Sequence, residues 1–501
     1  MQPFVIAVPG DIENLDGMGT YTQFAAQVWF HTHGRLMRFK ELPSPTAAGS
    51  VVLDKNTAEP ELAESLVTED FQTWTLTLRE GLVFPSGNPL TTDDVIYSFD
   101  RAVSLAGSPG FLLNTAGITD IGQVEKIDDL RLTITVPKPN NRLPRIFALV
   151  DVVVMDSKLL KDNATDDDPW TTEWAISNHA GYGRYLVKEW EPGSRLVLSP
   201  NPDWFEGPPE TGDLVFQVVP TEANRLLLLQ RGEADVATFM TPRTAVGIDP
   251  DDPDVAALRF PSDFVNTVTV NHGVAPFDNA LVRQAIAHAV NYEQIREEGW
   301  FGLATPPSSP VIPGYEGHVA VWDYSYDPER ARQLLSEAGF PDGFETRMLF
   351  SPEEDPSHEA LAVMIQGQLE DVGIKVTLEQ VTGGQFFTQF YGERDFEIAL
   401  KFCGIWVSEY WYSSNLMMAT NGFCSGTYSN PSVDEAIAAL ETETDPEAAQ
   451  ALATQVQEQF AEDAGYVLIG QPDFIVMTRK GVSGVIYPVQ DGTAIFWDLT
   501  R

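Results

Sequence analysis

The sequence has few cysteines and few basic residues for its length. Among 501 residues there are only 2 cysteines, so thiolates alone cannot build a metal cluster. Lys and Arg number 31 against 73 Asp and Glu, which leaves a formal net charge of -42. Such an acidic surface repels phosphate backbones and anionic headgroups, which argues against nucleic-acid binding and membrane docking. The same charge is compatible with a cationic ligand or a salty extracellular setting.

Long hydrophobic runs are also missing. The most apolar run, Ile146 to Met155, is interrupted by Asp151 and is much shorter than the ~20 residues of a membrane-spanning helix. The first residues, Met1-Gln2-Pro3-Phe4, show no basic region and no apolar region of an export signal, so we expect a mature chain or a cytosolic protein. At about 150 residues per domain, the length predicts a globular chain of about three structural units.

The familiar catalytic motifs are absent. The chain has no Walker P-loop, no G-x-S-x-G elbow and no H-E-x-x-H, and Gly181-Tyr182-Gly183 lacks the third glycine of a dinucleotide fingerprint. His31 and His33 could ligate a metal, but no partner follows at a familiar spacing, which favours a structural or solvent-facing role. The acidic loops Asp162–Pro169 and Asp249–Asp254 lack the ligand spacing of calcium loops. We therefore expect no catalysis and no cofactor.

Strands and helices alternate throughout the chain. Alternating polar and apolar residues predict strands at Thr73–Leu78, Leu130–Val136 and Ile374–Leu378. The mixture predicts an α/β or α+β fold with several sheets.

Helices are predicted from capping residues and apolar stripes. Thr91–Asp94 is a capping box, Asp327-Pro328 begins a helix that stops at Gly339, and the stripe from Leu361 closes at Gly373. Ser432–Glu435 is predicted to cap a long acidic helix that runs towards Phe460. Core packing is the expected role of these stripes.

Aromatic residues concentrate directly after the apolar strand predicted at Ile398–Phe402. The cluster consists of Trp406, Glu409, Tyr410, Trp411 and Tyr412. Aromatic faces around one charge are suited to bury and orient a ligand, although an aromatic core cluster explains the residues equally well. If the segment is extended, Glu409 and Trp411 point to the same side.

Motifs that occur in a fixed order cover essentially the whole chain. They are Pro60–Ser65, Trp74–Phe84, Gly87–Val95, Gly183–Tyr185, Lys188–Gly193, Asn201–Trp204, Leu229–Val236, Asn271 with Pro276–Ile286, Tyr326–Pro328 with Ala338–Phe340, Gly373–Val376, and Tyr428–Pro431 with Asp434. In this order they resemble the family 5 extracellular solute-binding proteins, the oligopeptide-, dipeptide- and nickel-binding proteins of ABC importers. Arg184 departs from the pattern, because the family usually has proline there.

The resemblance implies an α/β, two-lobed periplasmic-binding-protein fold (type II, cluster C) with a central ligand cleft and an extra inserted subdomain. The first lobe would comprise residues 1–50, 170–265 and 475–501. The inserted subdomain would take residues 51–170, and the second lobe residues 266–474. Strands near Phe264–Asn271 and Tyr466–Met477 would form the hinge.

The resemblance also implies a function. The chain would be an extracytoplasmic receptor that captures a peptide-like, amine-containing or aromatic solute between its lobes and delivers it to an ABC permease. It would act as a monomer, in the periplasm or lipid-anchored at the outer face of the cell membrane, with its export signal absent from this sequence. A ligand sensor that does not transport and a secreted hydrolase are the alternatives.

The family comparison also implies site residues. In peptide-binding members, the Asp of a W-x-x-D-Y-like run anchors the ligand's ammonium, and Trp406 to Tyr410 offers Glu409 there, one methylene longer. The expected ligand-binding residues are Trp406, Glu409, Tyr410, Trp411 and Asn271. For an exported protein, Cys403 and Cys424 could close a disulfide around the aromatic cluster, with two buried free thiols as the alternative.

Overall fold

The computed structural model describes residues 2–488 and 493–501, and the chain forms two compact units. Unit 1 comprises Met1–Phe260 and Phe474–Arg501, and unit 2 comprises Pro261–Asp473. The length alone predicted about three units. Residues 51–170 lie within unit 1, and their separation as an inserted subdomain stays a prediction, as do the exact lobe boundaries and the hinge.

Strands occur along the whole chain. In chain order they are β1 (Phe4–Val8), β2 (Met37–Pro43), β3 (Val51–Pro60), β4 (Ala63–Thr68), β5 (Thr73–Leu78), β6 (Val124–Lys126), β7 (Arg131–Thr135), β8 (Tyr185–Glu191), β9 (Arg195–Pro200), β10 (Leu214–Val218), β11 (Val236–Ala237), β12 (Val255–Pro261), β13 (Phe264–Val270), β14 (Ala304–Thr305), β15 (Phe344–Phe350), β16 (Ile374–Gln380), β17 (Ile398–Gly404), β18 (Val467–Arg479) and β19 (Ile486–Tyr487).

Helices separate most of these strands. In chain order they are α1 (Gln23–Thr32), α2 (Thr92–Leu105), α3 (Ser108–Thr115), α4 (Leu143–Ile146), α5 (Ser157–Asn163), α6 (Thr172–Ala175), α7 (Glu222–Gln230), α8 (Pro242–Val246), α9 (Ala280–Ala289), α10 (Tyr292–Gln294), α11 (Pro328–Glu337), α12 (His358–Asp371), α13 (Gly383–Phe387), α14 (Tyr410–Met418), α15 (Pro431–Leu440) and α16 (Pro446–Glu462). A 3₁₀ turn spans Ile121–Gln123, and π-helical turns span Ile295–Gly299 and Thr388–Glu393. In the part of the chain that the structure describes, no helix combines the length and the apolarity needed to cross a membrane.

The main sheet of unit 1 has the strand order β11-β1-β10-β9-β8. The central strand β1 pairs in parallel with β10 and β11, and β9 and β8 extend the sheet antiparallel. Unit 1 also carries the smaller sheets β4-β5-β7-β6 and β19-β3-β2. The predicted strand Thr73–Leu78 is confirmed as β5, and its alternation buries Trp74, Leu76 and Leu78.

The sheet of unit 2 has the order β16-β15-β17-β13, and β13 continues onto the first half of β18. Strand β15 is parallel to both β16 and β17, whereas β13 is antiparallel to β17. The carboxyl ends of β15, β16 and β17 therefore lie at one edge of the sheet.

Most of the predicted helix ends are confirmed. Thr91 and Asp94 form the capping box of α2, Asp327 caps α11, and Gly373 ends the turn after α12 with φ +98°. The predicted long helix towards Phe460 is wrong, because the segment forms two helices, α15 and α16. Pro446 explains the break, since proline lacks an N–H and its ring clashes with a preceding helical turn, so it begins a new helix.

Candidate functional site

The carboxyl ends of parallel strands are the usual place for a ligand in an open α/β sheet. In unit 2 the chain continues from the ends of β15, β16 and β17 into residues 351–357, 381–387 and 405–411. We call these three segments together the unit 2 edge. All the aromatic and acidic residues predicted from the sequence to bind a ligand lie in the third segment.

Glu409 caps a helix. Its carboxylate accepts hydrogen bonds from the backbone N–H groups of Trp411 (3.2 Å) and Tyr412 (2.8 Å), and the residue is only 3% exposed. The segment is not extended beyond Glu409, because α14 begins at Tyr410, so the condition under which Glu409 and Trp411 would point to the same side is not met. A carboxylate at this position satisfies N–H groups that have no partner within the helix, which favours the helix start.

The aromatic run is divided between edge and core. Tyr410 and Trp411 are half-buried and pack against a cluster formed by Leu440, Ala449 and Ala453, which lie on α15 and α16. Trp406 is half-buried in the turn that follows β17. Core packing, the alternative that the sequence left open, thus accounts for part of the run.

Asn271 fixes a loop. Its side-chain amide donates to the carbonyls of Arg394 (3.0 Å) and Phe396 (2.9 Å), and its oxygen accepts from the N–H of Gly273 (3.0 Å). Asn271 is 4% exposed. Its predicted contact with a ligand stays a prediction that none of these hydrogen bonds supports.

Cys403 and Cys424 form a disulfide in the structure, with their Cα atoms 5.9 Å apart. Cys403 lies near the end of β17 and Cys424 follows α14, so the bridge closes the segment that carries Trp406 and Glu409. Both cysteines are buried.

Sequence reasoning missed a lysine inside the same strand. Lys401 lies on β17 and is 0% exposed. Its Nζ donates one long hydrogen bond to the Cys424 carbonyl (3.5 Å) and lies 4.5 Å and 5.1 Å from the ring centroids of Phe390 and Tyr391. The signal was available, because a lysine within an otherwise apolar strand breaks the local pattern, and such breaks concentrate at functional sites.

The acid that raises the pKa of this lysine is Glu354 of the unit 2 edge, which follows β15, a strand parallel to β17. Burial lowers the pKa of Lys401 to about 7, Glu354 opposes that shift, and Arg394 adds to it. Burial raises the pKa of Glu354. The charge of Lys401 lowers this pKa, and the charge of Asp355 raises it further. The two groups therefore influence one another across the edge of the sheet.

Three rings pack together beside Lys401, and we call them the ring stack: Phe387, Tyr391 and Phe423. The Tyr391 centroid lies 5.0 Å from that of Phe387 and 4.5 Å from that of Phe423. Phe387 is 57% exposed and Phe423 is 51% exposed. The stack thus offers apolar ring surface to solvent, and its middle ring lies near Lys401.

Unit 1 has a comparable edge after β1, β10 and β11. Asp11 follows β1 and accepts from the N–H of Ile12 and the indole N–H of Trp190, and Glu222 follows β10 and accepts from the N–H of Thr241. Phe239, after β11, has φ 54°, a left-handed conformation that is uncommon for a bulky residue. The acids of this edge are therefore engaged by the chain itself.

The histidine pair is structural. His31 Nδ1 donates to the Gln27 carbonyl (2.7 Å), and its Nε2 accepts from the N–H of Phe496 (2.9 Å). Burial lowers the pKa of His31 to about 3, and His33 is also buried with a lowered pKa. Residues 2–488 and 493–501 contain no group of three or more His, Cys, Asp or Glu side chains that could hold a metal ion.

Arg184, which departs from the family pattern, lies between two indoles of unit 1. Its guanidinium carbon is 5.2 Å from the ring centroid of Trp204 and 4.8 Å from that of Trp497. It also pairs with Glu206 (3.0 Å), which Arg38 contacts as well (2.8 Å). These contacts give the arginine a packing role.

Comparisons with known proteins agree with this architecture. The family model of the bacterial extracellular solute-binding proteins, family 5 Middle, matches residues 57–428. The glutathione-binding protein GsiB of Salmonella paratyphi A is 26% identical over 430 residues, which are 83% of this chain and 81% of that protein. The probable D,D-dipeptide-binding periplasmic protein DdpA of Escherichia coli is 25% identical over 498 residues, 96% of this chain and 91% of that protein.

A solved structure extends the likeness to the fold. The dipeptide binding protein from Pseudoalteromonas sp. SM9913, in complex with Met-Leu, has 19% sequence identity and a TM-score of 0.82, with 100% of both chains covered. The predicted two-lobed α/β fold is thereby confirmed. With a family model that matches residues 57–428, this chain belongs to the bacterial extracellular solute-binding proteins of family 5, receptors that deliver solutes to the permeases of ABC importers.

Proposed function

We propose that this chain captures a small peptide-like solute that carries an amine, and passes it to an ABC permease without turnover. The observation that carries the proposal is the composition of the unit 2 edge. Its segments 351–357, 381–387 and 405–411 contain 4 acidic residues and no lysine or arginine. An acidic edge beside exposed aromatic rings suits an organic cation better than an anion.

The names of the relatives support a peptide-like solute. GsiB is named for glutathione, DdpA for D,D-dipeptides, and the solved structure holds Met-Leu. All three ligands contain a peptide bond. The relatives are named for binding. We therefore propose that the ligand binds one conformation of the receptor more tightly than another, shifts the equilibrium towards it, and is released chemically unchanged.

We further propose that the protein works as a monomer outside the cytoplasm. The Cys403–Cys424 disulfide supports this location, because disulfides persist in oxidising compartments. Thiol labelling of the denatured protein without reductant should find no free cysteine, and light scattering should give a mass near 55.3 kDa.

A ligand screen tests the proposal. Glutathione, D-Ala-D-Ala and Met-Leu are added to the protein in thermal-unfolding and calorimetric titrations. A solute at ~100 times its dissociation constant should stabilise the protein by about 2.7 kcal/mol. The solute should be recovered unchanged by mass spectrometry. Formation of a product would contradict binding without turnover. If none of the three solutes stabilises the protein, the proposal of a peptide-like solute is contradicted.

A further inference from the structure

We propose that Glu354 binds the cationic group of the solute and that Lys401 is the counter-ion which the solute displaces. The inference rests on the proposed function, since it names the binding group and the ligand class of the same edge. The ligand class is an ammonium carried on an aromatic or apolar group.

Glu354 differs from the other acids of the unit 2 edge in its hydrogen bonds. Glu353, Asp355 and Glu409 each accept at least one backbone N–H, at 2.8 Å in every case. Glu354 is half-buried, and within residues 2–488 and 493–501 its carboxylate accepts no hydrogen bond and has no cationic nitrogen within 4.0 Å. Since a partly buried carboxylate without donors costs free energy, a donor supplied by a ligand is favourable there.

Within the part of the chain that the structure describes, Lys401 has N–H donors that lack acceptors. An ammonium has three N–H donors, and among the described residues Lys401 uses one of them, in a long bond to the Cys424 carbonyl. The ionisable groups that influence its pKa are Glu354, which raises it, and Arg394, which lowers it. Tyr391 presents its ring to Nζ. Glu354 is therefore the anion that helps Lys401 keep its proton in a buried place.

A cation at Glu354 would remove that support. A second positive charge close to Lys401 disfavours the ammonium form, most strongly where water is excluded, so the lysine loses its proton as the solute binds. Affinity should then follow the neutral fraction of Lys401. For a pKa near 7, that fraction and the affinity rise about tenfold from about pH 6 to about pH 8.

The ring stack supplies the second half of the site. Burial raises the pKa of Tyr391, and the charge of Glu354 raises it further. The centroid of this middle ring lies 5.1 Å from Lys401 Nζ. Phe387 and Phe423 both pack against that ring and are more than half exposed. An apolar group attached to the ammonium can cover these rings, and their faces attract the cation itself.

Titration of Lys401 with a simple amine tests the proposal. The probe is benzylammonium, with benzyl alcohol as its neutral counterpart, and the readout is the Cε signal of ¹³C-labelled lysine, assigned by its loss in Lys401→Met. In the parent protein benzylammonium should lower the pKa of Lys401, and benzyl alcohol should leave it unchanged. In Glu354→Gln the pKa should be lower from the start and insensitive to benzylammonium.

Glu353→Gln is the matched control, because it removes the same charge from the neighbouring residue and should behave like the parent. A pKa of Lys401 that is unaffected by Glu354→Gln, or that benzylammonium does not move in the parent, would overturn the proposal. Thermal unfolding of each variant confirms that it is folded.

The failure of this proposal can be told apart from a failure of the proposed function. If N-acetyl-Met-Leu, which lacks the ammonium, binds as tightly as Met-Leu, the receptor function stands and the role of Glu354 is wrong. If none of the peptide solutes binds while benzylammonium still shifts the pKa of Lys401, the amine site stands and the peptide-receptor proposal is wrong.

Discussion

Each unit buries a basic side chain, and the two side chains differ in their hydrogen bonds. In unit 1, Arg101 is 0% exposed, forms two hydrogen bonds with Asp16 (2.9 and 2.6 Å) and donates a third to the Trp170 carbonyl (2.9 Å). In unit 2, Lys401 is equally buried but makes one bond of 3.5 Å. Removing the partner of a fully paired buried charge is costly, because the remaining charge is left uncompensated. A buried charge with few partners has a shifted pKa, and such groups concentrate at functional sites.

Removing the partner of Arg101 should give the largest effect. Asp16→Ala leaves a buried guanidinium without its anion, so we expect unfolding to become easier by about 3–5 kcal/mol. Chemical denaturation measures the loss. The control is Glu345→Ala, which breaks an exposed pair with Lys375 and should cost less than about 1 kcal/mol. Similar losses for the two variants would contradict the contrast between paired and exposed charges.

Replacing Lys401 should have the opposite sign. Lys401→Met removes a poorly compensated buried charge, and we expect a gain of about 1–4 kcal/mol below pH 7. The gain should shrink as the pH rises above about 7, because the folded parent then releases the proton that the unfolded chain still holds. Lys375→Met, at an exposed position, should leave stability unchanged. A loss of stability in Lys401→Met at acidic pH would show that the charge is better paired than we infer.

Buried neutral bases provide a third test of the contrast. His31 keeps a pKa of about 3 in the folded protein, so between its unfolded value of 6.5 and that pKa only the unfolded state binds a proton. Its contribution to stability is therefore lost as the pH falls, by up to about 1.4 kcal/mol per pH unit. Chemical denaturation at several pH values should show a shallower acid slope in His31→Gln than in the parent. Equal slopes would contradict a buried, neutral His31.

Glu409 should show the smallest effect on stability. Glu409→Ala removes the cap of α14, which costs about 1 kcal/mol. Because both of its oxygens are occupied by the helix, the variant should respond to benzylammonium like the parent. The thermal midpoint and the Lys401 titration measure the two expectations. Loss of the benzylammonium response with unchanged stability would restore Glu409 as the ammonium-binding residue that the family resemblance implied.

The fold could be predicted from the sequence where the determining interactions are local. The alternation of Thr73–Leu78 and the capping box at Thr91 act within a few residues, and both were predicted with correct bounds. The break before Pro446 was also visible in the sequence, but the acidic pattern on either side concealed it.

The site was less predictable from the sequence because the pairing of strands in the sheet brings its residues together. The motif drew attention to Glu409, but the hydrogen bonds of Glu409 depend on whether a helix begins at Tyr410. The sequence does not show that start clearly, because tryptophan and tyrosine do not favour helices strongly. The electrostatic influence of Glu354 on Lys401 depends on the parallel register of β15 and β17, which pairs Met348 with Ile398. No local pattern reveals that register.

The affinity of Met-Leu for the parent and for Glu354→Gln at pH 8, measured by calorimetry, tests the central claim most directly. A lost charge-assisted hydrogen bond of about 1.5–3 kcal/mol corresponds to weaker binding by about 10-fold to 150-fold. The account predicts a loss in this range for Glu354→Gln and no change for Glu353→Gln. Equal affinity of the parent and Glu354→Gln for Met-Leu would contradict it.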